Sequence, residues 1–291
     1  MEPIVTVGLD GSPESVAAAR WAADEAERRK LTLHLLHAWP MLVPEPTSIP
    51  SEIDQNYWAK RLVHTMRAEL QARHPGLSIV GDLVADDAQD ALLRAASESE
   101  LTVLGSRGLE LVESYFLGDI STPVVARAGR PVVLVRAETH KAGPPPAPGT
   151  TGGVVVALKL HGPCDDLLEF AFESAAARAS TLRAVHAQSL PVHAHVPWGV
   201  DHEVSEEITR DLQKQLSQAL RTWRERFPVV EVADSIGLES PARAVVRAAE
   251  SAELLVVGRR KHRPALTSRL GPVAQAAVHH ARCPLAVVPH D

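Results

Sequence analysis

The chain has 291 residues, 45% of them apolar and 23% charged, and its 30 Lys and Arg against 36 Asp and Glu give a formal net charge of −6. This composition is typical of a globular protein, and the length favours two domains. The mild negative charge argues against a nucleic-acid binder, and no apolar run approaches the roughly 18 residues that a membrane-spanning helix needs. The two cysteines, Cys164 and Cys283, are too few for a disulfide framework. We therefore expect a reduced, cytoplasmic location.

The second half of the chain repeats the first half. Residues 31–39 align with residues 180–188 at an offset of 149, and residues 101–107 align with residues 253–259 at an offset of about 153. A Pro- and Gly-rich segment, residues 139–152, separates the copies and has the composition of a linker. We therefore predict a first domain over residues 1–138 and a second domain over residues 153–291.

Within the first copy, short apolar runs alternate with amphipathic segments. The predicted strands are Ile4–Leu9, Leu31–Ala38, Leu77–Val84, Leu101–Gly105 and Pro131–Arg136. The first helix begins after Ser12, a good N-cap, with Pro13 at the first helical position. The second helix, Glu52–His74, carries a stripe that we assign to core packing: Trp58, Leu62, Met66 and Leu70. The alternation predicts an α/β fold with a parallel sheet covered on both faces.

Two turns carry the candidate binding residues, because ligands of open parallel sheets bind beyond the carboxyl ends of the strands. The turn after the first strand contains Asp10, whose carboxylate can accept hydrogen bonds from a ribose hydroxyl or an adenine amine. The turn after the fourth strand is Gly-rich and leads to a helix N-terminus, so it can present backbone N–H groups to an anion. The candidate residues are Gly8, Leu9, Asp10, Gly105, Ser106, Arg107, Gly108, Gly118, Asp119 and Ser121.

These turns resemble those of the universal stress protein family. Gly105, Gly108 and Gly118 match the spacing of the family's nucleotide signature, Gly-x2-Gly-x9-Gly-(Ser/Thr), and Asp10 matches the aspartate of its first loop. The resemblance covers both copies, as in a tandem two-domain member. It implies two Rossmann-like (adenine nucleotide alpha hydrolase-like) domains, each with a five-stranded parallel sheet of order 3-2-1-4-5, and a role in the stress response.

The resemblance also implies a pose for ATP in the first domain. Asp10 would face adenine or ribose, Gly105 and Gly108 would admit the phosphates, and Gly118 would hold the outer phosphates with Ser121 close by. However, Asp119 stands where the family has Ser or Thr. Its carboxylate would either compete with ATP as a built-in anion or share a Mg²⁺ ion with the phosphates. Both interpretations stay open at this point.

The second copy departs further from the signature. Lys159 replaces the aspartate of the first loop, Lys261 replaces the second glycine, and Pro272, which has neither a hydroxyl nor an N–H, stands at the Ser/Thr position. We therefore expect a degenerate motif that binds no ATP in the usual pose.

The leading functional hypothesis is a regulatory or binding protein that senses ATP, with Mg²⁺, through the first domain. We expect no enzyme and no metal site formed by the protein alone, since the sequence contains no recognisable catalytic set. A nucleotide-free interaction scaffold, with Asp119 in place of phosphate, is the alternative, and a slow ATP hydrolase is less favoured. The resemblance implies that the fifth strands pair, Pro131–Arg136 with Pro284–Val288. A homodimer and an unidentified protein partner remain open, whereas nucleic acid and membranes are not expected as partners.

Overall fold

The computed structural model describes residues 3–39, 51–107, 120–137, 152–190, 195–196, 199–200, 202–261 and 270–291. The chain divides into two compact units, Met1–Ala142 and Gly143–Asp291. Apart from Gly152, the predicted linker lies outside the described residues. In the described part of the chain, no helix combines the length and the apolar character that crossing a bilayer requires.

Unit 1 is a parallel sheet of five strands in the order β5-β4-β1-β2-β3. Its strands are β1 (Ile4–Gly8), β2 (Thr32–Trp39), β3 (Ile79–Ala85), β4 (Leu101–Gly105) and β5 (Val132–Val135). Its helices are α1 (Pro13–Arg29), α2 (Ser51–Arg73), α3 (Ala88–Glu98) and α4 (Ser121–Arg127). Helix α1 packs with α2, and α3 packs with α4, so that helices cover both faces of the sheet. The order 3-2-1-4-5 and the α/β class are confirmed.

Helix α1 begins where the sequence predicts. The Ser12 hydroxyl accepts a hydrogen bond from the Ser15 backbone N–H at 3.1 Å, and Pro13 occupies the first helical position. The helix ends at Arg29, and the following C-cap residue, Lys30, has a left-handed φ of 57° that terminates the helical hydrogen bonding. Because this helix follows directly on β1, its capped N-terminus lies beside the turn that contains Asp10.

The assignment of Trp58 to the core is wrong. Its side chain is 62% exposed, with the Arg61 guanidinium 5.5 Å from the centre of its ring. The buried face of α2 is formed instead by Ala59, Val63, Met66 and Leu70. Residues four apart advance 400° around an α-helix, so a strict four-residue stripe drifts by about 40° per step. Over three steps this drift carries Trp58 away from the face that Leu70 buries.

Unit 2 repeats the sheet in the order β10-β7-β6-β11-β12, again parallel. Its sheet strands are β6 (Val154–Ala157), β7 (Leu182–Ala187), β10 (Val232–Gly237), β11 (Leu254–Arg260) and β12 (Leu285–His290). A separate antiparallel pair is formed by β8 (His195–Val196) and β9 (Gly199–Val200). The helices are α5 (Asp165–Ala177), α6 (His202–Arg226), α7 (Pro241–Ala249) and α8 (Pro272–His280). Pairing of the two fifth strands stays a prediction from the sequence.

Helix α6 buries an apolar face against α5 and β10. Leu212, Leu216, Leu220 and Trp223 are buried, and Phe227 lies just beyond the end of the helix. The Phe172 ring is centred 6.0 Å from the Trp223 ring and 5.5 Å from the Phe227 ring. This aromatic cluster anchors the long helix of unit 2, whereas the aromatic residues Tyr57 and Trp58 of α2 lie at the surface.

Candidate ligand-binding site

The turn after β1 holds Asp10 in a defined orientation. The Ser12 backbone N–H and hydroxyl donate to Asp10 Oδ1 at 2.9 and 2.6 Å, so Oδ2 takes neither of these bonds. Gly11 between them has a φ of 83°, a left-handed conformation that favours glycine. Desolvation raises the pKa of the Asp10 carboxyl, but the hydrogen bonds from Ser12, with smaller contributions from Ser15 and Arg107, outweigh it and hold the pKa below its usual range. The group is therefore an ionised acceptor at neutral pH.

The end of β4 is pressed against the start of α1. A Cβ on Gly105 would lie 2.6 Å from the Glu14 carbonyl carbon and 2.7 Å from the Ser15 backbone nitrogen. Both contacts are with backbone, which cannot rotate away. Glycine at this position therefore lets the fourth strand end close to the α1 N-terminus and to the Asp10 turn.

Three polar contacts involve further candidate residues at the same edge. The Ser121 hydroxyl donates to the Gly105 carbonyl oxygen at 2.9 Å and so ties the start of α4 to the end of β4. Arg107 is 51% exposed, with its Nε 3.7 Å from the Glu14 carboxylate. The Ser106 backbone N–H donates to the Val135 carbonyl oxygen at 2.9 Å.

The structure thus brings seven of the ten predicted site residues to one edge of the unit 1 sheet. They are Gly8, Leu9, Asp10, Gly105, Ser106, Arg107 and Ser121. Gly108, Gly118 and Asp119 lie outside the described residues. The competition or magnesium bridge predicted for Asp119 stays a prediction.

Each unit contains the same histidine contact behind the turn that follows its first strand. His37 Nδ1 donates to the Leu9 carbonyl oxygen at 2.7 Å, and His186 Nδ1 donates to the Leu158 carbonyl oxygen at 2.9 Å. The offset of 149 relates both the histidines and the acceptors, so the sequence pairs them but does not show what they contact. Each imidazole fixes the backbone of the turn that follows the first strand of its own unit.

The same edge of unit 2 differs because its fourth strand, β11, is longer than β4. Strand β11 continues past Gly258 to Arg260 in register with β12, and the Lys261 backbone N–H donates to the His290 carbonyl oxygen at 2.8 Å. In unit 1 the equivalent strand, β4, ends at Gly105. The backbone N–H at the position of the missing second glycine is thus already occupied in unit 2.

Side chains of unit 2 also occupy this region. A Cβ on Gly258 would lie 2.5 Å from His290 Nε2, so the imidazole fills the space that the glycine leaves. Lys261 Nζ donates to Asp166 Oδ2 at 2.7 Å, which places a carboxylate of the first turn of α5 near the end of β11. These contacts are the physical counterpart of the sequence change at Lys261.

Unit 2 nevertheless contains a cavity of about 790 Å³ beyond the carboxyl ends of β6, β7 and β11. Its apolar wall includes Leu158, Leu167, Val185, Val245 and Val257. Its polar lining residues include Lys159, His186, Arg260 and His290. The sequence analysis missed this cavity, because changes in a nucleotide motif do not show whether the space beneath it persists.

A polar chain in unit 1, buried at its hydroxyl end and exposed at its carboxylate, has the form of a hydroxyl–imidazole–carboxylate relay. Thr6 Oγ1 lies 3.1 Å from His34 Nδ1, and His34 Nε2 lies 2.8 Å from Asp82 Oδ2. The Thr6 hydroxyl also lies 2.7 Å from the Ser99 hydroxyl. Both hydroxyl residues have no exposed surface, so a substrate cannot reach them. The chain satisfies buried polar groups across β1, β2 and β3 rather than activating a nucleophile.

Two further chemistries find no support in the described residues. Among them, no group of three or more His, Cys, Asp or Glu side chains is arranged to hold a metal ion. Cys164 lines the unit 2 cavity, but burial and the neighbouring Asp165 charge raise the pKa of its thiol, which disfavours the reactive thiolate.

Comparison with known proteins places both units in one family. The model of the universal stress protein family matches residues 2–136 and 152–289. Universal stress protein Rv2005c of Mycobacterium tuberculosis is 31% identical over 292 residues, which cover 97% of this chain and 96% of the relative. Universal stress protein Rv1996 of the same organism is 27% identical over 99% of this chain and 96% of its own. A crystal structure of a universal stress protein from Archaeoglobus fulgidus, at 17% identity, superposes with a TM-score of 0.72 over 99% of this chain and 98% of that one.

Proposed function

Because this chain belongs to the universal stress protein family, we propose that it is a non-enzymatic stress-response regulator that binds an adenine nucleotide in unit 1 and none in unit 2. The convergence of the Asp10 turn and the end of β4 at one edge of the unit 1 sheet carries the proposal. Asp10 is an ionised acceptor suited to a ribose hydroxyl or an adenine amine, and Gly105 keeps side chains away from the point where a phosphate would approach.

The contrast with unit 2 supports the restriction to one nucleotide for each chain. In unit 2 an amine at Lys159 replaces the acceptor of Asp10, and β12 occupies the Lys261 backbone N–H. The Lys261 ammonium is paired with the Asp166 carboxylate, so it is not free to bind a phosphate. A triphosphate would therefore find neither this ammonium nor the Lys261 backbone N–H available as a donor.

The proposal is tested by titrating the nucleotide-stripped full chain with ATP in a calorimeter, with and without Mg²⁺. We expect about one nucleotide for each chain. Asp10→Asn should weaken binding about tenfold, the loss of one charge-assisted hydrogen bond. Lys159→Gln, the matched change in unit 2, should leave ATP affinity unchanged. Binding of two nucleotides for each chain, or a loss of ATP affinity with Lys159→Gln, would contradict the restriction to unit 1.

The role of Asp119 is resolved by the same titration on Asp119→Ser. A steep rise in ATP affinity would identify the carboxylate as a competitor of phosphate. A loss that is confined to the Mg²⁺ titration would identify a magnesium bridge. If neither the wild-type chain nor this variant binds ATP or AMP, nucleotide binding is contradicted and the scaffold function takes its place.

A further inference from the structure

We propose that the cavity of unit 2 is a second ligand site, which takes an apolar carboxylate bearing a hydroxyl group rather than a nucleotide. The cavity, of about 790 Å³, lies in the size range of small-molecule sites. Its lining residues all belong to unit 2, so the proposed ligand contacts no candidate nucleotide-binding residue of unit 1.

The body of the ligand follows from the wall of the cavity. Leu158, Val185, Val245 and Val257 are buried, and together with Leu167 they form an apolar surface beneath the strand ends. Burial of apolar ligand surface against such a wall contributes about 25 cal/mol for each Å² removed from water. A flat body of one or two rings, or an aliphatic body of similar size, therefore fits this part of the cavity.

The negative charge of the ligand follows from two exposed cations. Lys159 and Arg260 line the cavity, and neither forms an ion pair with any other described residue. Helix α8 adds its N-terminal residues Gly271–Val273 to the wall, and the N-cap Gly271 supplies no side-chain hydrogen bond. Asp291 is the acidic residue of the lining, and it lies within electrostatic range of Lys261. In a chain of net charge −6, a cavity edged by two such cations favours an anion.

The hydroxyl group of the ligand follows from His186. This side chain is 7% exposed and lines the cavity, and its Nε2 is buried with no hydrogen-bond partner among the described residues. Because Nδ1 donates to the Leu158 carbonyl oxygen, Nε2 of the neutral ring carries a lone pair. A ligand hydroxyl that donates to this nitrogen would satisfy the buried group, and unsatisfied buried groups are rare in folded proteins.

A single carboxylate fits the charged edge better than a polyphosphate does. The His290 imidazole fills the space above Gly258, and the His290 carbonyl occupies the Lys261 backbone N–H. Asp165 and Asp166 lie in the first turn of α5, where they already compensate the positive end of that helix. The unit therefore keeps the space for a ligand body but lacks the donors that several phosphate charges would need.

Three related probes with the same apolar body test the hydroxyl and the charge separately: a hydroxynaphthoate, the naphthoate without the hydroxyl, and the uncharged hydroxynaphthamide. We expect the full chain to bind about one hydroxynaphthoate in calorimetry, with each of the other two probes binding about tenfold more weakly. ATP, saturating unit 1, should not displace the probe. Absence of hydroxynaphthoate binding, equal binding of all three probes, or displacement by AMP or ATP would overturn the proposal.

Variants assign the binding to this cavity. The double variant Lys159→Gln, Arg260→Gln should weaken both carboxylate probes at least tenfold and leave the amide unchanged. Lys214→Gln, Arg221→Gln removes the same charges from exposed positions on α6, outside the cavity, and should bind like the wild type. If both double variants lose affinity equally, the effect is general electrostatics and the site is not this cavity.

His186→Phe keeps the ring volume and removes the acceptor. The variant should bind the hydroxynaphthoate as weakly as the naphthoate, and its affinity for the naphthoate should be unchanged. The substitution of His186 and the removal of the ligand hydroxyl would then have non-additive effects on affinity. An unchanged circular dichroism spectrum shows that the variant is folded. Equal weakening of both probes would overturn the assignment of the hydroxyl to His186.

Discussion

The sheets of the two units have the same strand order and differ at the carboxyl ends of their strands, where the ligand sites are proposed. Strand order, register and the histidine–carbonyl contact after the first strand are the same in both. At the fourth strand they diverge, since β4 ends at Gly105 while β11 continues to Arg260 in contact with β12. The comparison shows that the buried part of the sheet is the same in both units, whereas the ends of the fourth strands differ in length.

The first helices of the units differ in their buried polar residues as well. Glu25 of α1 is fully buried and is bound by Arg29 at 2.6 Å, with Arg28 at 3.5 Å. The equivalent residue of α5 is Ser174, also fully buried, whose carbonyl oxygen accepts from Arg178 at 3.1 Å. At this position the first helix of unit 1 thus contains a buried charge that needs its partner, and the first helix of unit 2 has an uncharged serine instead.

The largest expected difference in the free energy of unfolding is between tryptophan substitutions in the two long helices, α6 and α2. Trp223→Ala should lower the free energy of unfolding by about 3 kcal/mol or more, because it empties an aromatic cluster in the core. Trp58→Ala should change it by less than about 0.5 kcal/mol, because Trp58 is an exposed residue. Urea denaturation followed by circular dichroism measures both, and Trp223→Phe, which keeps a ring, serves as the control. Equal losses for the two alanine variants would show that the aromatic residues of α2 are packed after all.

The next effect compares the glycines at the ends of the fourth strands. Gly105→Ala should destabilise unit 1 by about 3 kcal/mol, because the new methyl group meets rigid backbone. Gly258→Ala should cost about 1 kcal/mol, because the new methyl group meets the His290 ring, which can rotate. Hydrogen exchange measured by mass spectrometry assigns each loss to its unit. A larger loss for Gly258→Ala would contradict the tight packing of α1 on β4.

A smaller difference is expected from the arginines of the first helices. Arg29→Ala should cost about 2 kcal/mol, because it takes the nearer partner from the buried Glu25 carboxylate. Arg178→Ala removes a hydrogen bond to the Ser174 carbonyl oxygen and should cost about 1 kcal/mol. The double variant Glu25→Gln, Arg29→Ala should recover part of the first loss in urea denaturation. No recovery would show that packing of the Arg29 stem, and not the buried charge, determines the effect.

The smallest effects depend on pH and have opposite signs in the two units. The pKa of Asp10 is below its ordinary value of 3.8, so its hydrogen bonds stabilise unit 1 above that pH and are lost as pH falls through the lower folded value. The hydrogen bond to Asp166 raises the pKa of Lys261 above its ordinary value of 10.5, so this pair stabilises unit 2 below that pH and is lost as pH rises through the folded value.

Asp10→Asn and Lys261→Gln measure these two contributions. Each should lower the free energy of unfolding by less than about 1 kcal/mol at pH 7, because both sites are exposed to solvent. The deficit of Asp10→Asn should vanish toward pH 2, and that of Lys261→Gln should vanish toward pH 12. A deficit that does not change with pH in either variant would mean that the charge of that group does not contribute.

The sequence alone determined the duplication, the α/β class and the strands of the sheet, because apolar runs and their spacing depend on burial within each unit. It also located Asp10, Gly105 and Ser121 at one edge, because the topology of a parallel sheet brings those strand ends together. It misplaced Trp58, because only the rotation of α2 against the sheet decides which side of the helix is buried.

The tertiary structure decided what the sequence could not express as a pattern. The cavity of unit 2 results from the distance between strand ends and helices, and the lone pair of His186 results from the partner of its other nitrogen. The occupied N–H of Lys261 depends on two added strand residues that pair with a segment about 30 residues away. Such properties depend on contacts between atoms that are distant in the sequence, and residue types at fixed spacings do not specify those contacts.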